Sequence, residues 1–167
     1  MSRAGAAIGS AVFFVLAPGV VMGLVPWLLT GWRLRDPLPA WAPLRVVGAV
    51  LVVAGALVLV QAFVRFVVEG LGTPAPVAAP DQLVVGGMYR YVRNPMYLAG
   101  LATIAGQALL LGQLGLLPYG AIVGAASFAF VHFVEEPALR RRFGERYERY
   151  LREVPGWWPR LPGRRPD

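Results

Sequence analysis

Four apolar segments, near residues 4–30, 44–68, 95–111 and 118–134, govern what this chain can fold into. An α-helix needs about 20 apolar residues to cross the hydrocarbon of a bilayer. There, every backbone N–H and C=O must be bonded within the protein, which favours helices. Segment 44–68 is rich in Val and would suggest a strand in water, but its length decides for a membrane helix. The first segment outruns the apolar core of a signal peptide and is read as a retained span. Over 167 residues, 57% hydrophobic content and a mean hydropathy of +0.57 fit the same class. The expectation is an all-α polytopic membrane protein with about four transmembrane helices.

Pro18 and Pro26 should kink the first span, and Trp27, Trp32 and Trp41 bracket the first loop as interfacial anchors. The stretch GLGTPAPVAAP, residues 70–80, is too rich in Pro for a regular helix and reads as an extended connector. It separates an N-terminal transmembrane pair, residues 1–69, from a core, residues 70–167. Pro95 suits the first turn of the third span and disfavours helix at Asn94. A short uncharged turn at 112–117 should fold the last two spans into an antiparallel hairpin. From Pro137 the chain turns charged, with tyrosines at 147 and 150, and is expected to form an interfacial amphipathic helix before a Pro/Trp-rich end. Four spans put both termini on one face. Arg3, Arg90, Arg93 and the Arg-rich tail make that face cytoplasmic, whereas Arg33, Arg35 and Arg45 in the first loop run against the assignment.

The composition removes whole chemistries. With no Cys, disulfides, thiolate catalysis and cysteine metal sites are excluded. One His excludes a multi-histidine metal centre, and no metal is expected. All sixteen basic residues are Arg, so lysine Schiff-base chemistry is excluded too. The net charge of +7 flanks apolar runs, as in a protein facing anionic lipid, so no nucleic-acid partner is expected.

Two polar clusters remain at the mouths of the helices. In GGMYRYVRNPMYLAG, residues 86–100, Arg90 and Arg93 sit beside the N-terminus of the third span, whose free N–H groups can hold an anion. Tyr89, Tyr91 and Tyr97 offer ring faces, and Gly100 permits close approach. An interfacial Tyr/Arg belt explains the same residues equally well. Glu135 and Glu136 end the fourth span, at the helix end where cations are preferred, and so call for a cationic partner. His132 lies on roughly their face. Together these groups match the carboxylate, ammonium, adenine and sulfonium of S-adenosylmethionine.

GTPAPVAAP, GMYRYVRNPMYLAG, VHFVEEPALRRRFGERYERYL and VPGWWPR, in that order, resemble the isoprenylcysteine carboxyl methyltransferase-like family, which includes phospholipid N-methyltransferases. The resemblance covers about residues 70–160. It implies a membrane-embedded methyltransferase using S-adenosylmethionine in a pocket on the cytosolic side. Arg93-Asn94-Pro95 with Tyr97 corresponds to the family's Arg-His-Pro-x-Tyr element, with Asn94 in place of His, and Gly100 matches the glycine after it. Glu135 and Glu136 match a Glu-Glu pair that contacts the cofactor. His132 and Tyr147 fall in regions that contribute to the pocket, and Tyr89, Arg90 and Tyr91 precede its main element. Arg142, Arg146 and Arg149 are candidate contacts for an acidic substrate group; Glu135, Glu136, Arg142 and Arg149 form the expected catalytic set.

The expected reaction is O-methylation of an isoprenoid-type carboxylate or N-methylation of a lipid amine, on a lipophilic substrate drawn from the bilayer. A carboxylate acceptor needs only a cation to orient it, whereas an amine must also lose a proton to Glu or His. The alternatives are an NADPH-dependent sterol-type reductase and a non-catalytic lipid-binding protein. Composition points to a bacterial inner membrane, with the cofactor site facing the cytoplasm.

Overall fold

The computed structural model describes residues 12, 16–70 and 82–160, with the side chains of 66, 67, 69 and 70 undefined. These residues form helices and turns, with no strand among them. Helix α1 is Leu16–Thr30, α2 is Ala42–Gly70 and α3 is Pro95–Leu111. Helix α4, Leu116–Phe130, passes through a π turn at Val131–Glu135 into α5, Glu136–Phe143. Helix α6 is Glu145–Glu153. The expected connector at residues 70–80 and the start of the first span lie almost wholly outside the described residues.

Helix α1 bends where its sequence dictates. Pro26 has no N–H, so the helix widens into a π turn at Val20–Leu24, closed by the Val25 N–H on the Val20 carbonyl. The carbonyls of Val21 and Met22 then look outward for donors. The Tyr119 hydroxyl of α4 donates to Val21 O at 2.7 Å, and Gln107 Nε2 of α3 donates to Met22 O at 2.7 Å. A sequence defect in one helix thus becomes its attachment to two others.

The main packing contact is between α2 and α3. Gly48 and Gly106 face each other so closely that a Cβ on Gly106 would lie 2.8 Å from the Gly48 carbonyl, and one on Gly48 would collide with the Leu110 amide. In a bilayer such close backbone approach is a principal source of association. At the far end, the last four carbonyls of α3 are all satisfied. Ala108 O takes the Gln113 N–H, at 2.9 Å, and Leu111 O takes the Arg35 N–H, at 2.8 Å. Leu109 O receives Trp41 Nε1 at 2.8 Å, and Leu110 O receives Arg45 Nε at 2.9 Å. Arg45 also pairs with Asp36 at 3.1 Å, which places a cation at the negative end of α3.

Two helices, Ala42–Arg65 and Leu116–Phe143, are long and apolar enough to cross a membrane, whereas Leu16–Thr30 and Pro95–Leu111 are shorter apolar helices. The count of four full spans is therefore an expectation that the helix lengths do not themselves establish. Leu57, Ile122 and Phe133 are each about two-thirds or more exposed, a surface suited to hydrocarbon and not to water. The C-terminal region departs from the single interfacial helix expected from Pro137. Pro137 stands at the start of α5, where a missing N–H costs nothing, so the fourth span runs through it. The break comes at Gly144 (φ 51°, ψ −127°), and the separate amphipathic helix is α6.

Candidate functional site

The site forms where the mouth of α3 meets the π turn between α4 and α5. Pro137, like Pro26, supplies no N–H to the preceding turn, and the Glu136 N–H reaches back to Val131 O. Two adjacent acids follow at this widened turn, and each has a separate partner. Glu136 Oε1 pairs with Arg93 Nη1 at 2.7 Å, both side chains being about one-sixth exposed. Glu135 Oε2 accepts the Tyr97 hydroxyl at 3.0 Å. The pair Arg93–Glu136 ties the start of α3 to the end of the fourth span across the cavity mouth.

A strap after α6 closes this arrangement. The Arg93 N–H donates to Pro155 O at 2.9 Å, and the Arg160 N–H to Tyr91 O at 2.8 Å. Asn94, expected as the relative of a histidine, is buried and donates Nδ2 to Gly156 O at 3.0 Å. It caps no helix; its part is to hold the strap. A Cβ on Gly156 would lie 2.9 Å from Arg93 Nη2, so a larger residue here would press on the guanidinium. Trp157 then packs between Tyr97 and Phe128, with ring centroids 6.2 and 5.7 Å away. Beneath the strap, Tyr150 donates its hydroxyl to Tyr89 O at 2.7 Å.

The cavity is ≈ 230 Å³ and is lined by Tyr89, Arg93, Asn94, Pro95, Tyr97, Gly100 and Glu135, with Ser127 of α4 and apolar side chains from all four helices completing its walls. Arg93 lines this cavity, and its Nε is buried with no hydrogen-bond acceptor among the described residues. The first turn of α3 has no side-chain cap and opens onto the same space, adding positive potential. Burial pushes the Tyr89 hydroxyl above its ordinary pKa, with the nearby Glu135 charge adding to the effect. Burial likewise pushes Tyr147 up to about 12, reinforced by Glu136 and opposed by the Arg93 guanidinium beside it. Both are neutral at physiological pH and act as donors or apolar surface.

Of the residues expected from sequence, Tyr89, Arg93, Asn94, Pro95, Tyr97, Gly100 and Glu135 converge on the cavity, and Glu136 and Tyr147 support it through Arg93. Six others lie away from it, among them Arg146, exposed on α6. Arg90 is exposed, and Tyr91, half-buried, engages the strap through its carbonyl. His132 is exposed and lies flat on Phe128, with centroids 6.2 Å apart. Arg142 is exposed, 5.8 Å from the Phe143 ring, and Arg149 is exposed on α6. Gly156 and Trp157 were not singled out in the sequence. Their only signal was VPGWWPR, a conspicuous pair of tryptophans beyond an amphipathic helix.

A family model described as phospholipid methyltransferase matches residues 44–146, which include α2, α3, α4, α5 and the whole charged mouth of the cavity. The chain belongs to the phospholipid methyltransferase family. It is 37% identical over 64 residues to a phosphatidylethanolamine N-methyltransferase of Schizosaccharomyces pombe, covering 38% of this chain and 7% of that protein. To the protein-S-isoprenylcysteine O-methyltransferase of the same yeast it is 34% identical over 80 residues, 48% of this chain and 34% of that protein. The chain thus spans well under two-thirds of the length of these relatives. Family and exposed apolar helices together make it a membrane-associated protein.

Proposed function

We propose that this protein transfers the methyl group of S-adenosylmethionine to an amphiphile embedded in the membrane. The observation that carries this reading is that the Arg93 guanidinium and the Glu135 carboxylate line one cavity at the uncapped mouth of α3. This donor set fits the cofactor: Arg93 and the first-turn N–H groups suit its carboxylate, Glu135 suits a cationic centre, and Tyr89 with Tyr97 offers ring faces for a flat base. When bound, S-adenosylmethionine would supply an electrophilic methyl on sulfonium, open to attack by an acceptor lone pair, with the S–C electron pair leaving on a neutral thioether.

The protein's own work is alignment and exclusion of water. Glu136 fixes the Arg93 guanidinium in one orientation, and the Tyr97 hydroxyl fixes one oxygen of Glu135. Trp157 and the strap shield this space from the aqueous side. Of the two acceptor chemistries, the amine suits the cavity better. A carboxylate acceptor would meet the charge of Glu135, whereas a lipid ammonium is attracted by it and can surrender a proton to its second oxygen. The names of the two yeast relatives, an N- and an O-methyltransferase, supply both options. The Arg-rich run of α5 and α6 supports a site facing the cytoplasm, and the Lys-free composition is what supports a bacterial inner membrane.

Calorimetry in nanodiscs tests the reading. The wild-type protein binds S-adenosylmethionine and not NADPH, and Glu135→Gln with Glu136→Gln abolishes binding. Binding of NADPH alone, or unchanged cofactor binding by the double variant, overturns it. Incubation with methyl-labelled S-adenosylmethionine and membrane lipids then identifies the acceptor.

A further inference from the structure

Pro18, Met22 and Leu59 line the site cavity and also a second, larger space of ≈ 690 Å³ between α1 and the α2–α3 pair. The two cavities therefore adjoin along a shared wall. The second runs past Gly19, Gly23 and Val52 to Leu110, Leu111 and Trp32 at the far end of α3. Its two polar side chains are spent on backbone: Thr103 Oγ1 donates to Ala99 O at 2.8 Å and Gln107 Nε2 to Met22 O at 2.7 Å. What remains facing the groove is hydrocarbon. From Gly100, in the site cavity, to Leu111 the helix rises roughly 17 Å at 1.5 Å per residue. Since Gly100 already lies more than a turn inside α3, the groove reaches most of the way across the ~30 Å hydrocarbon core, to the interface marked by Trp32.

Gly19 and Gly23 are the informative residues. Glycine inside a helix costs about 0.5–1 kcal/mol relative to alanine, and usually answers to close packing or a positive φ. Neither applies here: no described atom lies within 4 Å of where a Cβ would stand on either residue, and neither has a left-handed φ. Their effect is to leave the groove open on the α1 side. We propose that this groove holds the hydrocarbon chain of a membrane amphiphile, its head group at the Glu135 cavity and its chain end against Trp32, Leu110 and Leu111. Helix α1 then sets the length of chain accepted. The proposal rests on the methyltransferase reading only for what the head group meets.

Photolabelling tests the groove without relying on methyl transfer. The probe is a hexadecanoyl phosphatidylethanolamine with a diazirine at the chain terminus, incorporated into nanodiscs with the full chain, and labelled residues are located by mass spectrometry. Label is expected at Trp32, Leu110 and Leu111, and Gly23→Leu, which fills open space, should cut it about tenfold by excluding two or more methylenes. An octanoyl analogue, too short to pass Gly23, should label near Met22 equally in both proteins. Label confined to the outer faces at Leu57, Ile122 and Phe133, or unchanged by Gly23→Leu, overturns the proposal. Cofactor binding, measured on the same samples, separates the two readings. Groove labelling without S-adenosylmethionine binding sinks the proposed reaction and leaves the groove standing; the reverse result does the opposite.

Discussion

Arg93 has three tasks: it pairs with Glu136 through Nη1, anchors the strap through its backbone N–H, and lines the cavity with its planar guanidinium. A lysine can perform the first and cannot perform the third, because it lacks the planar fork. Arg93→Lys should therefore keep the fold and lower affinity for S-adenosylmethionine about tenfold or more in calorimetry. Arg93→Ala leaves Glu136 buried and unpaired, and should cost about 3–5 kcal/mol of stability in thermal or denaturant unfolding. The tyrosines beneath give a pH dependence with a definite sign. A folded-state pKa raised to about 12 for Tyr147, against an ordinary value of about 10, means that its packing contribution is intact below pH ~10. It is lost as pH climbs towards 12. Tyrosinate absorbance should rise together with loss of structure in that window, and Tyr147→Phe should delay the transition. Arg93, Tyr97 and Glu135 were legible in sequence because charge beside apolar helices is conspicuous. Trp157 was not, since its place over Tyr97 depends on a chain reversal that no local pattern encodes.

At the scale of the element, proline governs both bends. Pro26 and Pro137 each follow a π turn, but they serve different ends: one exposes carbonyls for helix attachment, the other sets the paired acids at the site. Interhelical hydrogen bonds in bilayers average about 0.6 kcal/mol. Gln107→Leu and Tyr119→Phe should accordingly destabilise little in global unfolding, yet quicken hydrogen exchange along α1 selectively. The Gly48–Gly106 contact behaves oppositely. Gly48→Val pushes atoms into the α3 backbone and should cost more than about 3 kcal/mol, seen as aggregation on detergent extraction. Sequence supplied the bend at Pro26 and the start of α3 at Pro95. It misplaced the C-terminal helix boundary because charge marks where a chain leaves hydrocarbon, while Gly144 marks where the helix stops.

For the whole molecule, the first-loop arginines that opposed the cytoplasmic assignment have a structural explanation. Arg45 caps α3 through its guanidinium, and Arg35 does so through its backbone, so one of the three charges is tied to an internal task. The absence of Cys makes the topology directly measurable. In inverted vesicles an impermeant thiol reagent should label Arg142→Cys and leave Arg35→Cys untouched; the reverse pattern places the cavity on the outer face. Fold class was legible from hydropathy alone, because lipid permits so few backbones. The order of packing was not, since α2 and α3 bind through glycines that contribute nothing to an apolar pattern.

The strap at Pro155–Trp157 has a consequence in time. Every helix that walls the cavity is synthesised before it, so a nascent chain can insert α1 to α4 while its charged mouth still lies open. Arg93 and Asn94 gain their backbone partners only when residues 155 and 156 emerge and fold back. The pocket is thus completed only after all the helices that wall it, and a chain halted shortly before Pro155 would have inserted them yet be unable to seal its site.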